Sequence, residues 1–285
     1  MIRSILSCLI VFFLTAQSAL ACPGKNGILD YNCDGKVKIF FIGDSFVFGF
    51  GDTVNNNKGG YISRLKKMLP KVTVGSYGVQ GLRAVQLLPI VLDTFKAENP
   101  YPQFKQSLNE ADAIILDLGR NDRWLMGEPS GTYRILDRIT KLIAKGVKTD
   151  TGFEPLVVKS VLMLPNRGAQ GPWVKLLNEI ILAKTSKRFP ADLRFDLVSK
   201  RLIGFDQIHP TSLGYAAIAR AFKTYIPDLT KHFQARRPDT DGDGISDLME
   251  TGKFSTNPAL ADTDGDGKSD TDELFKTLTN PLVAD

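Results

Sequence analysis

The chain has 285 residues, 43% of them hydrophobic and 24% charged, with a formal net charge of +5. That composition fits a globular protein with one α/β-sized domain and room for a small module beside it, and excludes a disordered chain or a bundle of membrane spans. The charge is split, with 33 Lys and Arg against 19 Asp and Glu before Pro238 and 3 against 12 from Pro238 onward, which predicts two modules; the basic residues are scattered, so nucleic acid is not an expected partner.

Residues 1–21 read as a secretory signal peptide. Arg3 supplies the positive start, Ile5 to Leu14 the apolar core and Ala19-Leu20-Ala21 a small-x-small cleavage site. The apolar run is too short for a favoured membrane span and no later stretch is long enough. The expectation is an exported mature chain without a transmembrane segment, in the periplasm, at the cell surface or outside the cell. Cys8 leaves with the signal, and Cys22 and Cys33 remain. In an oxidising compartment they predict a disulfide within the N-terminal segment 22–36; free thiols or a lipid on Cys22 are the alternatives, although Ala19 stands where a lipid-attachment signal usually has Leu.

Residues 37–235 alternate short apolar runs with helical patterns. Strands are expected at Val37–Ile42, Val72–Val74, Ala113–Leu118, Leu156–Leu164 and Leu193–Val198. Helices are expected at Tyr61–Leu69, Ala84–Lys96 with Pro89 inside, Thr132–Ala144, Trp173–Lys184 and Ser212–Tyr225. Buried strands separated by helices predict an α/β fold with a parallel sheet covered on both faces, and such sheets place their sites at the carboxyl ends of the strands.

Three polar pieces stand beside these elements: Gly43-Asp44-Ser45, Gly119-Arg120-Asn121-Asp122 and Asp206-Gln207-Ile208-His209-Pro210. A serine hydroxyl needs a base to become a useful nucleophile. The chain has 2 histidines, and His232 lies in the charged stretch "DLTKHFQARR". His209 is therefore the candidate base for Ser45. Asp206, earlier in the same turn, is the candidate carboxylate that holds the imidazole tautomer. Attack on an acyl carbon also needs donors for the oxyanion. The Ser45 N–H, the Asn121 side-chain amide and the N–H of Gly81 in "SYGVQGLRA" can supply them, with Gly78 as the rival glycine. Taken singly, each piece is an ordinary turn or helix cap. Arg120, Arg123 and Trp124 read as surface charge and a rim aromatic, with a substrate mouth as the other reading.

Together, in this order, the pieces resemble the SGNH hydrolase superfamily, the GDSL-type esterases and lipases, over Val37 to Tyr225. The resemblance implies a flavodoxin-like three-layer α/β/α sandwich. It implies a carboxylic ester hydrolase with Ser45 as nucleophile, Asp206 and His209 as acid and base, and Ser45, Gly81 and Asn121 as oxyanion donors. It implies an acyl-enzyme and no catalytic cofactor. Two departures are visible: Phe46 follows the serine where Leu is usual, and Ser76-Tyr77-Gly78 stands where an Asn often precedes the glycine block.

From Pro238 to Asp285 the pattern changes. "DTDGDGISDLMETGKFSTNPALA" is followed by "DTDGDGKSDTDELFKTLTNPLVA", an internal repeat. Asp239, Asp241, Asp243, Asp247 and Glu250 fit a D-x-D-x-D-G-x5-E loop, with the Ile245 carbonyl at the seventh position. Asp262, Asp264, Asp266, Asp270 and Glu273 fit it again, with the Lys268 carbonyl. Alternating oxygen ligands suit a hard cation. The stretch is too short for two full EF-hands and resembles thrombospondin type 3 repeats of exported bacterial proteins, which implies structural Ca²⁺. Asp285 falls where a third loop would begin. "DYNCDGK", Asp30 to Lys36, echoes half such a loop but lacks its later acids, and reads as a turn.

The expected function is an exported serine esterase with a calcium-binding appendage, acting on O-acetyl groups of a polysaccharide or on a lipid ester. The alternative is a surface or matrix protein that binds glycan without turnover.

Overall fold

A computed structural model describes residues 25, 28, 30, 34–52, 59–153, 155–160, 162, 170–184, 202–234, 240–243, 245, 247, 250–277 and 279–285. The expected signal peptide, Cys22, Cys33, the strand at 193–198 and the ligand Asp239 lie outside these residues. The chain divides into two compact units, one of residues 22–238 and one that includes residues 239–285.

The larger unit holds a parallel sheet of β1 (Lys38–Gly43), β2 (Thr73–Gly78), β3 (Ala113–Asp117) and β4 (Leu156–Lys159), in the order β2-β1-β3-β4. Successive side chains of a strand point to opposite faces, and β1 is apolar on both. Ile39 and Phe41 pack on one face with Tyr61, Leu65, Tyr215 and Phe222. Phe40 and Ile42 pack on the other with Leu87, Val91, Ile139 and Ile143. Helices α2 (Gly60–Met68) and α8 (Ser212–Gln234) cover the first face, while α3 (Ala84–Thr94), α4 (Pro102–Asn109) and α6 (Pro129–Thr151) cover the second. The result is the three-layer α/β/α arrangement expected from the sequence. Among the described residues the unit also holds α1 (Ser45–Phe48), α5 (Arg123–Met126) and α7 (Gln170–Lys184).

Several elements differ from the sequence expectation. The second strand runs on from Val74 through Gly75-Ser76-Tyr77 to Gly78, where small residues hide the strand pattern. Helix α6 continues to Thr151 because Val147 extends the buried stripe of Ile139 and Ile143 past the polar residues that suggested an earlier end. Helix α4 went unread because its buried face rests on only Phe104 and Leu108. Helix α8 runs on to Gln234 and takes in His232.

The register places the site. Gly43, the last residue of β1, pairs with Gly78 on one side and Asp117 on the other. The segments that follow β1, β2 and β3 therefore leave the sheet side by side.

Candidate active site and candidate cation loops

Ser45 leaves β1 as the first residue of the single-turn helix α1, not as part of an open loop. Asp44 caps that turn, its Oδ1 accepting from the Phe46 N–H at 3.0 Å. A first-turn N–H has no acceptor within its helix, so the Ser45 N–H points out of the turn.

The Ser45 hydroxyl lies 2.9 Å from His209 Nε2, and His209 Nδ1 lies 2.6 Å from Asp206 Oδ2. The second Asp206 oxygen accepts from the N–H groups of Ile208 and His209, both at 3.0 Å. The turn between acid and base closes through the Gly204 N–H donating to the His209 carbonyl at 2.8 Å, and it puts Gln207 at φ 59°. A non-glycine residue in the left-handed region costs free energy that the surrounding turn must offset. Burial raises the Asp206 pKa, but the hydrogen bonds from His209 and from the Ile208 and His209 N–H groups more than offset it and hold the carboxyl below its ordinary value. The rings of Phe46 and Phe50 flank the imidazole at 5.8 and 4.6 Å between centroids. The three residues expected from sequence as nucleophile, acid and base thus form one hydrogen-bonded chain.

Two of the expected oxyanion donors stand on the segments that follow β2 and β3. After β2, the Val79 N–H donates to the Gly43 carbonyl at 3.1 Å. Gly81 follows with φ +71° in open space, a conformation that favours glycine. The Asn121 amide donates to the Leu82 carbonyl at 3.2 Å, which sets it next to Gly81. The rival glycine has a different reason to exist. A Cβ on Gly78 would lie 2.5 Å from the Phe48 nitrogen, so Gly78 lets the end of β2 pass against α1.

Arg120 is neither surface charge nor a lining of the substrate mouth. It is 3% exposed, with Nη2 at 2.6 Å from Asp117 Oδ1 and Nη1 at 3.4 Å from both Asp44 carboxylate oxygens. Its guanidinium lies 4.0 Å from the centre of the Phe46 ring. The Tyr61 hydroxyl donates to Asp117 Oδ2 at 2.8 Å. Burial pushes the Asp44 carboxyl up, and the Arg120 charge pulls it partly back. Burial would lower the Arg120 pKa, but Asp117 and Asp44 raise it. Asp122 binds the N–H groups of Ala84, at 2.9 and 3.0 Å, and Val85, at 3.4 Å, and so caps α3 from a distant loop. Burial pushes it up to about 6 despite those bonds. Consecutive residues of one loop therefore tie the serine turn, the glycine turn and the amide donor together. Asp44, Tyr61, Asp117 and Asp122 were missed in the sequence. The available signal was Asp117 at the end of an otherwise apolar strand, since a buried carboxylate demands a partner.

In the second unit the described residues of the two repeats make matching contacts. Asp247 accepts from the Thr240 N–H and hydroxyl, both at 2.8 Å, and Asp270 likewise from Thr263 at 2.8 and 2.7 Å. These carboxylates brace their loops. Glu250 and Glu273 are fully buried, and each uses one oxygen to accept from a threonine, Thr256 at 3.3 Å and Thr279 at 3.1 Å. Their other oxygens, with Oδ2 of Asp241 and of Asp264, are buried without a hydrogen-bond partner among the described residues. Such orphans occur at equivalent positions of both repeats, which is the donor set a hard cation would satisfy. Asp262, Asp264 and Asp266 each offer an oxygen, all within 4.8 Å of one another, and Asp266, Glu273 and Asp285 form a second such group. Asp285 lies on the second loop, its N–H donating to Asp266 Oδ2 at 3.2 Å.

A family model described as GDSL-like lipase/acylhydrolase matches residues 41–217. Similar solved structures include a lipolytic G-D-S-L family protein of Veillonella parvula, 14% identical over 65% of this chain and 96% of that one, with a TM-score of 0.49. A psychrotrophic esterase of Pseudoalteromonas is 14% identical over 68% and 98%, with a TM-score of 0.47. A catalytic mutant of an acetylxylan esterase of Geobacillus stearothermophilus is 18% identical over 67% and 94%, with a TM-score of 0.44. No curated protein sequence matches the chain.

Proposed function

The chain belongs to the GDSL-like lipase/acylhydrolase family and is a carboxylic ester hydrolase, and from that premise we propose that it works through an acyl-enzyme on Ser45. The observation that carries the reading is the continuous chain from the Ser45 hydroxyl through His209 to Asp206, with links of 2.9 and 2.6 Å.

His209 Nε2 takes the hydroxyl proton as Ser45 Oγ attacks the acyl carbon. Asp206 holds the Nδ1–H tautomer and stabilises the imidazolium that forms. The carbonyl oxygen becomes an oxyanion held by the N–H groups of Ser45 and Gly81 and the Asn121 amide. His209 then gives its proton to the departing alkoxide. A water, deprotonated by the same imidazole, attacks the acyl-enzyme and frees the acid. As an ester hydrolase the chain is not the non-catalytic glycan binder considered from sequence.

The protein is exported, as its first residues suggest, and its substrate is an ester at or outside the cell envelope. The C-terminal repeats bind structural Ca²⁺. Their orphaned carboxylate oxygens support this, with Asp241 and Glu250 in one loop and Asp264 and Glu273 in the other as the principal ligands. Asp239, Asp243, Asp262 and Asp266 and the Ile245 and Lys268 carbonyls complete the loops. Bound Ca²⁺ would neutralise acids that otherwise repel one another.

The test is steady-state and burst-phase hydrolysis of p-nitrophenyl acetate by the wild type and by Ser45→Ala. The expected loss is about 10⁴-fold or more in kcat. Equal activity in the variant would sink the acyl-enzyme reading.

A further inference from the structure

Among the described residues, most of the exposed apolar side chains of the catalytic unit sit on the segments that carry the site residues. Phe50 packs its ring on His209 while remaining 38% exposed. Val79 is exposed in the turn whose N–H holds the Gly43 carbonyl. Trp124 and Leu125 follow Asn121 and Asp122 and are 73% and 57% exposed. Phe205 stands immediately before Asp206 and is fully exposed, and Leu213, just past His209, is 60% exposed. Elsewhere in this unit, Leu92 and Leu176 are the other large exposed apolar residues among those described. Helix α5 is the clearest case: its sequence is Arg-Trp-Leu-Met and it buries none of its residues. Its Met126 side chain packs against Gly131 of α6, whereas Trp124 and Leu125 face water and are available to something else.

Resting on the ester-hydrolase reading, we propose that this apolar ring is a docking face for an anionic phospholipid surface, from which an acyl ester is drawn to Ser45. Three observations select that occupant. The ring mixes aliphatic with aromatic side chains. A sugar platform needs flat rings with polar neighbours, whereas Leu125, Val79 and Leu213 suit acyl chains and the Trp124 indole suits the headgroup boundary. The face adjoins the catalytic residues, since the Phe50 ring lies 4.6 Å from that of His209 and Phe205 and Trp124 stand on the segments that carry Asp206 and Asn121, so a surface seated on it is brought to the nucleophile. The charge is complementary as well. The residues before Pro238 carry 33 Lys and Arg against 19 Asp and Glu. One of those cations lies on the face itself: Arg123, whose guanidinium sits 4.8 Å from the centre of the Trp124 ring. Basic residues next to an apolar face draw it to anionic headgroups, and the attraction weakens with salt.

The experiment uses the full chain carrying Ser45→Ala, so that lipid is not consumed, in chelator, so that no calcium bridge joins the acidic repeats to lipid. Co-sedimentation is measured with phosphatidylglycerol vesicles, with phosphatidylcholine vesicles and with acetylated xylan. The expected result is binding to phosphatidylglycerol at least tenfold tighter than to phosphatidylcholine, weakened by salt, with a blue shift of Trp124 emission. The double substitution Leu125→Ser/Phe205→Ser should lower that binding at least tenfold while the melting temperature stays within a few degrees. No binding to phosphatidylglycerol vesicles, or binding that the double substitution leaves intact, overturns the proposal. Binding to acetylated xylan in place of vesicles, lost with Trp124→Ala but not with the double substitution, overturns it in favour of a glycan platform. Hydrolysis of p-nitrophenyl acetate by the wild type and not by Ser45→Ala, assayed alongside, keeps a failure of lipid docking distinct from a failure of the esterase reading.

Discussion

Arg120 and Asp117 meet in the protein interior, Nη2 to Oδ1 at 2.6 Å, and the same guanidinium reaches Asp44 at 3.4 Å. Asp44 precedes Ser45 and Arg120 precedes Asn121, so one buried cation joins the turn that carries the nucleophile to the loop that carries the amide donor. Removing a single partner from a buried ion network leaves uncompensated charge and typically costs about 3–5 kcal/mol. Arg120→Met is expected to lower the unfolding free energy by that order and to depress kcat with it. Arg120→Lys keeps the charge but loses the planar fork that serves two carboxylates, so it should recover only part of either. Urea denaturation together with p-nitrophenyl ester kinetics checks this, and wild-type values in Arg120→Met would rule it out.

Asp122 makes stability depend on pH in the direction opposite to most carboxylates. Its folded pKa is pushed up to about 6, first by burial, whereas an unfolded Asp ionises near 3.9. Between those values the folded chain holds a proton that the unfolded chain has released. Stability from this residue therefore falls as pH rises through that window and levels off above about 6. Asp122→Asn should flatten that part of the stability–pH curve. It should also weaken the cap on α3, because an amide has one acceptor oxygen where the carboxylate uses two. Melting temperatures of the two proteins from pH 3.5 to 7 give the comparison; parallel curves would refute the assignment.

The alternation of apolar strands and amphipathic helices was enough to predict the parallel sheet, because burial on both faces leaves β1 and β3 without polar interruptions. The hydrogen-bonded chain of Ser45, His209 and Asp206 was legible for a different reason: few histidines leave few bases to choose from. The polar scaffold beneath it was not legible. Asp44, Arg120 and Asp122 look like the polar residues of any turn, and only the three-dimensional register of β1 with β3 shows that they are buried together. Helix α5 was missed because it is a single turn that buries none of its residues, and a core-facing pattern is what a sequence reading detects.

Gly78 and Gly81 predict different failures. Gly78→Ala would put a Cβ 2.5 Å from the Phe48 nitrogen. Backbone must move to make room, so the main effect should be a loss of stability of about 1–3 kcal/mol. Gly81→Ala meets no neighbouring atom, but its φ of +71° strains any other residue by about 1 kcal/mol. Relaxing that strain turns the peptide away, so kcat should fall more than stability does, with little change in KM. If Gly78→Ala instead lost kcat at full stability, the oxyanion role would pass to Gly78.

The second unit should respond to Ca²⁺ through the orphaned oxygens and not through its total acidity. Asp264 Oδ2 and Glu273 Oε2 are buried without partners, whereas both oxygens of Asp270 are already taken by Thr263. Ca²⁺ that binds only the folded repeats stabilises them by mass action, by about 2.7 kcal/mol at a hundredfold excess over Kd. Glu273→Gln and Asp264→Asn should each abolish most of the calcium-induced rise in the melting transition of this unit. Thr263→Val should lower that transition with and without Ca²⁺, because the hydroxyl braces the loop and leaves the cation alone. Calorimetry in Ca²⁺ and in chelator separates the two behaviours. If Glu273→Gln kept the full calcium response while Thr263→Val lost it, the buried oxygens would not be the ligands, and Asp270 would become the better candidate.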